Sequence, residues 1–519
     1  MSASAKNSLP DALFGADAVR AIDRYVIDQQ GVDGFVLMQR AAAACFRQLA
    51  ANWPEPGRVL VLCGAGNNGG DGYLVAASAK RHGLEVQCLA VTSPDRLTGD
   101  ARKAWQAAVS ANVSVQEFET LSEDELDQAF RQAGVVVDAM LGTGVTGAPR
   151  EPFAGMIERC NGGAAPVLAV DLPSGLDAST GAAAGAVVQA DLTVTFIGLK
   201  AGLFTGQGPG VCGQVVFDDL AVGTGVADSG QQPLALRRDW ISVNSWLPQR
   251  PANAHKGQFG YVLVIAGDHG FGGAGIMAAE AASRSGAGLV ALATRPEHVT
   301  AALARCPSVM VHGLDHGSGL EPLLKAATVV VCGPGLGRSA WGQQMLELVL
   351  ASGKPRVLDA DALNLLASRD PVAFSRQILT PHPGEAARLL KCQVADIETD
   401  RISAASQLQK IFGGTLLLKG AGTVIATGGD SVNIVSGSNP GMATGGMGDV
   451  LSGIAGALYA QLGDPERAAT LAAAVHLEAA CRASESKGFM GLIPGDVIEA
   501  LPGVFRESEA AGCRHRESA

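Results

Sequence analysis

The chain has 519 residues, too many for one compact core, and its 47% hydrophobic and 17% charged residues exclude a disordered polymer and suit a globular α/β protein. A net charge of −11 leaves no electrostatic footprint for DNA, RNA or an anionic membrane, so neither nucleic acid nor a bilayer is an expected partner. The ten cysteines include no Cys-x-x-Cys pair, no apolar run reaches about 18 residues, and the N-terminus has no cationic start leading into an apolar signal region; reduced thiols in a cytoplasmic protein are the expectation.

A helical pattern runs from Ala18 to Ala51, with Met38, Ala42, Cys45, Phe46 and Leu49 on one face. Short continuous apolar segments follow at Val59 to Cys63, Val135 to Val137, Val167 to Val170 and Thr193 to Ile197, with helix-length stretches between them. Strands buried on both faces of a parallel sheet read this way. From about Ala221 to Gln232 the periodicity lapses into Gly, Ala, Ser and Asp, as at a boundary between cores. The strand pattern then restarts at Tyr261 to Ala266, Thr328 to Cys332, Arg356 to Leu358, Gln377 to Leu379 and Thr415 to Leu418. The last strong helix, Asp449 to Leu462, repeats Val450, Ile454 and Leu458 on one face. The expected architecture is two α/β domains: a doubly wound sheet at 1–225, a linker at 226–238, and a second domain at 239–519.

Three loops in the first half stand where apolar strands end. Gly64-Ala65-Gly66-Asn67-Asn68-Gly69-Gly70-Asp71-Gly72 contains Gly-x-Gly-x-x-Gly, but the end of the next strand, Val91-Thr92-Ser93, lacks the acidic residue that holds a dinucleotide ribose. Two amides and a carboxylate inside this turn supply oxygen ligands for a hard cation, beside helix N–H groups suited to phosphate. Val137-Asp138 and Val170-Asp171-Leu172-Pro173-Ser174 each place a further carboxylate at a strand end.

These loops resemble those of the NAD(P)HX epimerase family, over roughly residues 12–220. The resemblance implies a Rossmann-like fold that inverts C6 of the hydrated nicotinamide ring of NADHX or NADPHX, with a bound potassium ion. Carried over by motif, Asn68, Asp138 and Ser174 would hold potassium. Asn67, Asn68, Gly69, Gly70 and Asp71, with Gly142, Thr143, Gly144, Val145, Thr146, Gly147 and Ala148, would bind the cofactor, and Asp171 would face the reacting ring as an acid/base.

In the second half, Asn439-Pro440-Gly441-Met442-Ala443-Thr444-Gly445-Gly446-Met447-Gly448-Asp449 opens the last strong helix. Free N–H groups there would face charge developing on a transferring phosphoryl group, and the carboxylate can take a proton from the attacking hydroxyl. No Gly-x-x-x-x-Gly-Lys-Ser/Thr loop occurs. Together with Gly333-Pro334-Gly335-Leu336-Gly337, Asp359-Ala360-Asp361-Ala362-Leu363, Thr380-Pro381-His382-Pro383-Gly384-Glu385 and Lys419-Gly420-Ala421-Gly422-Thr423, this pattern is similar to the ribokinase-like ADP- or ATP-dependent NAD(P)HX dehydratases, over about residues 240–505. The resemblance implies substrate contacts at Ala274, Gly337, His382 and Asp449, with Asp449 catalytic. It implies adenine-nucleotide contacts at Lys419, Gly420, Ala421, Gly422, Thr423 and Gly448, with ADP or ATP, accompanied by Mg2+, phosphorylating the C6 hydroxyl before phosphate leaves. The expected partners are these small molecules and further copies of the chain in a homo-oligomer. The competing reading is a ribokinase-like small-molecule kinase fused to a nucleotide-binding or sensor domain.

Overall fold

The computed structural model describes residues 9–144, 146–429 and 431–517, with side chains to 508. The chain forms two compact α/β units that divide between Leu236 and Arg237.

In the first unit the strands are β1 (Ala12–Phe14), β2 (Arg58–Cys63), β3 (Glu85–Ala90), β4 (Ser114–Glu117), β5 (Ala133–Ala139), β6 (Val167–Val170), β7 (Leu192–Phe196), β8 (Leu199–Lys200), β9 (Gln214–Asp218) and the first half of β10 (Ala235–Arg238). Seven of them form a parallel sheet in the order β4-β3-β2-β5-β6-β7-β9. Along β2, Val59, Val61 and Cys63 enter one apolar cluster and Leu60 and Leu62 another. Period-two alternation thus buries every second side chain on each face, and each fully buried Val or Leu contributes roughly 1.5–3 kcal/mol. This is why the strands read as unbroken apolar runs.

The single helix expected from Ala18 to Ala51 is two: α1 (Ala16–Asp28) and α2 (Gly34–Asn52). Gly31, at φ +71°, supplies a left-handed turn that would strain most other residues, and Asp33 restarts the helix by accepting from Val36 N at 3.1 Å. A third helix, α3 (Asn67–Arg81), begins immediately after the glycine loop that ends β2.

The second unit continues with β11 (Tyr261–Ile265), β12 (Leu289–Thr294), β13 (Met310–Gly313), β14 (Val329–Cys332), β15 (Arg356–Leu358), β16 (Gln377–Leu379), β17 (Thr415–Leu418), β18 (Thr423–Ala426) and β19 (Val432–Val435). Their order is β13-β12-β11-β14-β15-β16-β17-β18-β19, parallel as far as β17 and antiparallel from β17 to β19. The helix Met447–Leu462 begins two residues earlier than its apolar periodicity indicates, and its Val450, Ile454 and Leu458 are fully buried.

The stretch 226–238, expected as a linker, carries part of a short helix, Gly225–Asp228, and all of β10. Within the first unit β10 pairs antiparallel with β1, Leu236 opposite Ala12 and Ala235 opposite Leu13, and Leu234 N donates to Leu13 O at 2.8 Å. A fragment ending at 236 is therefore expected to fold alone and to melt several degrees above one ending at 225, which leaves β1 without that edge. Thermal melts followed by circular dichroism compare the two.

Candidate functional sites

Each unit gathers its polar side chains where parallel strands end and glycine-containing loops begin. In the first unit, Gly64 follows β2 and a Cβ there would stand 1.9 Å from Met140 O. Only glycine allows the loops after β2 and β5 to approach this closely, and the approach brings Asn68 beside Leu141, whose carbonyl accepts from Asn68 Nδ2 at 3.1 Å.

A cleft of about 530 Å³ opens above these loops. Its lining includes Asn67, Asn68 and Asp71 from the start of α3, Gly142, Thr143 and Gly144 from the loop after β5, and Asp171 beyond β6. Gly69 and Gly70 are buried beside them, while Thr146, Gly147 and Ala148 are exposed. Val145 lies outside the described residues.

Asp171 has φ +69°, a left-handed conformation that Asp tolerates better than most residues. Its Oδ1 accepts from Lys200 Nζ and, at 3.2 Å, from Thr195 Oγ1. The ammonium also donates to Thr195 Oγ1 and to Phe196 O, each at 3.1 Å. Lys200 is 1% exposed, so this buried cation is held by three oxygens, one of them a carboxylate's.

Asp138 and Ser174 are fully buried. Asp138 Oδ1 accepts from Ser174 Oγ at 2.6 Å and from Met140 N at 3.2 Å, and Oδ2 from Ser174 N at 2.8 Å. Among the described residues no cationic side chain pairs with it, and burial pushes its carboxyl up to about 6 although these hydrogen bonds pull the other way. Asn68 Oδ1 is buried with no hydrogen-bond partner. A buried carboxylate without a cation and an orphaned amide oxygen are a donor set that fits a hard, singly charged ion.

In the second unit, Asp359 follows β15 directly and is 1% exposed. Its Oδ1 accepts from Lys419 Nζ at 2.6 Å and its Oδ2 from Ser452 Oγ at 2.7 Å. Glu385 Oε2 lies 3.7 Å from the same ammonium. Burial alone would lower the Lys419 pKa, but Asp359 and Glu385 outweigh it and hold the group above its ordinary value. Gly448, in the first turn of the helix Met447–Leu462, comes so near that a Cβ would stand 3.3 Å from Lys419 Nζ. The next residue, Asp449, is pushed up to about 7 by burial and by Asp359, with Lys419 opposing.

His382 caps the helix Pro383–Leu390, its Nδ1 accepting from Gly384 N at 2.9 Å, and burial followed by Lys419 lowers its pKa. Gly337 N donates to Asp361 Oδ2 at 2.9 Å. Ala274, in the first turn of the helix Gly272–Arg284, packs beside Gly335. In the loop Lys419–Thr423, Arg401 Nη2 donates to Lys419 O at 2.9 Å and Thr423 Oγ1 to Gly420 O at 2.9 Å, which fixes the turn. Met447, given no chemistry from sequence, is buried in the apolar core.

A family model described as YjeF-related protein N-terminus matches residues 34–202, and one described as NAD(P)H-hydrate dehydratase matches residues 262–503. Along the whole chain, the bifunctional NAD(P)H-hydrate repair enzyme Nnr of Escherichia coli (strain K12) is 43% identical over 511 residues, 98% of this chain and 97% of that protein. The chain belongs to the bifunctional NAD(P)H-hydrate repair enzyme family. The Nnr of Coxiella burnetii (strain RSA 493 / Nine Mile phase I) is 42% identical, covering 94% of this chain and 98% of that one. Among solved structures, the ADP/ATP-dependent NAD(P)H-hydrate dehydratase from Bacillus subtilis, co-crystallized with ATP/Mg2+, is 29% identical with a TM-score of 0.48, covering 52% of this chain and 97% of that one.

Lys200, Asp23 and Asp359 are among the polar residues of these sites that had no role from sequence. Lys200 sits in the apolar run Phe196-Ile197-Gly198-Leu199-Lys200-Ala201-Gly202-Leu203, where a lone lysine signals a buried partner. Asp23 lines the first cleft from α1, outside every loop motif. Asp359 stood in a quoted motif, but its ion pair with a lysine 60 residues away is a property of the fold.

Removing Asp171 should leave Lys200 a buried ammonium without its carboxylate. Asp171→Ala is expected to destabilise the first unit by about 3 kcal/mol or more, and Lys200→Met, which removes the buried charge itself, by less. Urea denaturation of both variants measures the difference.

Proposed function

We propose that this chain repairs hydrated nicotinamide cofactors, interconverting R- and S-NAD(P)HX in its first unit and dehydrating S-NAD(P)HX to NAD(P)H in its second at the expense of ADP or ATP. The observation that carries the reading is Asp449 at a glycine-opened helix N-terminus, with Lys419 beside Gly448. Proton acceptor, phosphoryl-binding N–H groups and a neutralising ammonium then stand together.

In the second unit Asp449 takes the proton of the C6 hydroxyl as the terminal phosphoryl group is transferred to it. The C6–O bond then breaks, phosphate leaves, the ring nitrogen supplies the electrons, and loss of the C5 proton gives NAD(P)H. Lys419 and the amides of Gly420, Ala421, Gly422, Thr423 and Gly448 hold the nucleotide, and Ala274, Gly337 and His382 hold the substrate. Asp359, Asp361, Glu385 and Asp449 gather around the Lys419 ammonium, a donor set that would fit Mg2+ bound with the nucleotide. In the first unit Asn67–Asp71 and the loop 142–148 hold the cofactor, with Asp171 at the ring. Asn68, Asp138 and Ser174 would hold potassium, which would supply a fixed positive charge against Asp138. No helix of the described residues is long and apolar enough to cross a membrane. The nine described cysteines are unpaired, in keeping with a cytoplasmic setting, and the assembly in this reading is a homo-oligomer.

Incubating the purified protein with mixed R- and S-NADHX and either nucleotide tests the whole reading, full recovery of NADH absorbance being expected. Because a base must be ionised to act, dehydration should rise with pH through about 7 and level off above it, following Asp449. Asp449→Asn keeps the shape but accepts no proton, and should slow dehydration roughly 10²- to 10⁴-fold while R/S interconversion, followed chromatographically in the same sample, continues.

Asp138 gives a further test by stability alone. Its folded pKa, about 6, is raised above the ordinary 3.8, so its contribution to stability is present below about 4 and lost as pH rises through about 6. A bound cation opposes that loss. Potassium should therefore raise the melting temperature of the first unit at about pH 7.5 more than at about pH 5, and Asp138→Asn should abolish the difference.

A further inference from the structure

Helix α1 buries Val19, Ile22 and Val26 along one stripe. Asp23 falls on the same side, four residues after Val19 and three before Val26, where an amphipathic helix ordinarily places an apolar residue. Gly198, between β7 and β8, has no side chain, and a Cβ on it would stand 3.3 Å from Phe14, 3.5 Å from Val19 and 3.6 Å from Ile22. The helix thus rests on the same short turn that leads to Lys200. Arg20 ties α1 to the loop after β5 by donating to Thr143 O at 2.9 Å, and also pairs with Asp17.

Asp23 lines the cleft with Arg20, Asp71, Asp100, Asp171 and Lys200. Lys200 is committed to Asp171, Arg20 to Asp17 and Thr143, and Asp100 to Lys103 at 2.8 Å. Carboxyls gathered this closely with one buried ammonium cannot all ionise without cost. Burial raises Asp23 to about 6, Lys200 pulling it down and Asp171 pushing it up. Burial, Asp171 and Asp23 hold Asp71 well above the ordinary carboxylate range, with Lys200 opposing. A proton donor works best with a pKa near the working pH, which favours Asp23 over Asp71.

We propose that Asp23 is the proton donor of the epimerisation and the Asp171 carboxylate its acceptor, an inference that rests on reading the first unit as the epimerase. Asp171 takes the C6 hydroxyl proton; the oxygen becomes a carbonyl as the C6–N1 bond breaks; the bonding pair goes to N1, which takes the proton of Asp23. Rotation presents the other face of the aldehyde. N1 then attacks it and returns its proton to Asp23, while the new alkoxide recovers the proton held by Asp171. Both carboxyls end as they began, one bond has broken and re-formed, and no co-reactant is consumed.

The test is the R/S interconversion rate of the full chain against pH, for wild type, Asp23→Asn, Asp23→Glu and Asp71→Asn. Since the donor must be protonated, the wild-type rate should fall as pH rises through about 6. Asp23→Asn is expected to lower kcat roughly 10²- to 10⁴-fold with KM unchanged, to lose that descending limb, and to melt where wild type melts. Asp23→Glu, which keeps a carboxyl, should retain the limb and part of the rate, and it decides the matter if the Asn variant fails to fold. Wild-type kcat in Asp23→Asn, or loss of the limb only in Asp71→Asn, would overturn the inference. Absence of interconversion in wild type would instead overturn the reading of the unit.

Discussion

Val59, Val61 and Cys63 of β2 meet one apolar layer while Leu60 and Leu62 meet another, so the middle of the strand has no face left for polar chemistry. The same holds for β5, whose Val135 and Val137 enter one cluster and Val136 the other. A parallel sheet buried on both sides confines function to the loops beyond its strand ends. Asp138, Asp171 and Asp359 each stand at such an end.

Compensation of buried charge then organises both sites. In the first unit a lysine is drawn into an apolar turn to meet Asp171, while Asp138 is left with hydrogen bonds but no cation. In the second unit one lysine answers two carboxylates, Asp359 and Glu385, and a serine satisfies the remaining oxygen of Asp359. Burying charge is costly, more so where several carboxylates share one counter-ion, and the cost leaves Asp23, Asp138 and Asp449 able to exchange a proton or attract a cation near neutral pH. The two units share this logic without sharing loop sequences.

Much of this was legible in the chain. The central strands read as apolar runs because both faces are buried, and the glycine loops marked the strand ends. Strands β4, β9 and β13 carry half-exposed residues and were not read as strands, and neither were β12, β18 and β19, although these are largely buried. The break between α1 and α2 was written in Gly31 and Asp33, but the apolar periodicity on either side masked it. Among the polar residues, motif position singled out Asp171 and Asp359 but not what faces them. Lys200 meets Asp171 across 29 residues and Lys419 meets Asp359 across 60, pairings set by strand order and invisible to local pattern.

The contact between Gly64 and Met140 O bears on how this protein would respond to random mutation. Gly64 contributes no side chain to the chemistry, yet any replacement wedges apart two loops that must touch for Asn68 and Leu141 to meet. In a saturation-mutagenesis survey position 64 would score with residues whose side chains the site needs, and its intolerance would report steric exclusion by a backbone carbonyl. Sorting the two kinds of essential position requires asking whether an isosteric replacement exists: Asp171 has asparagine, and Gly64 has none.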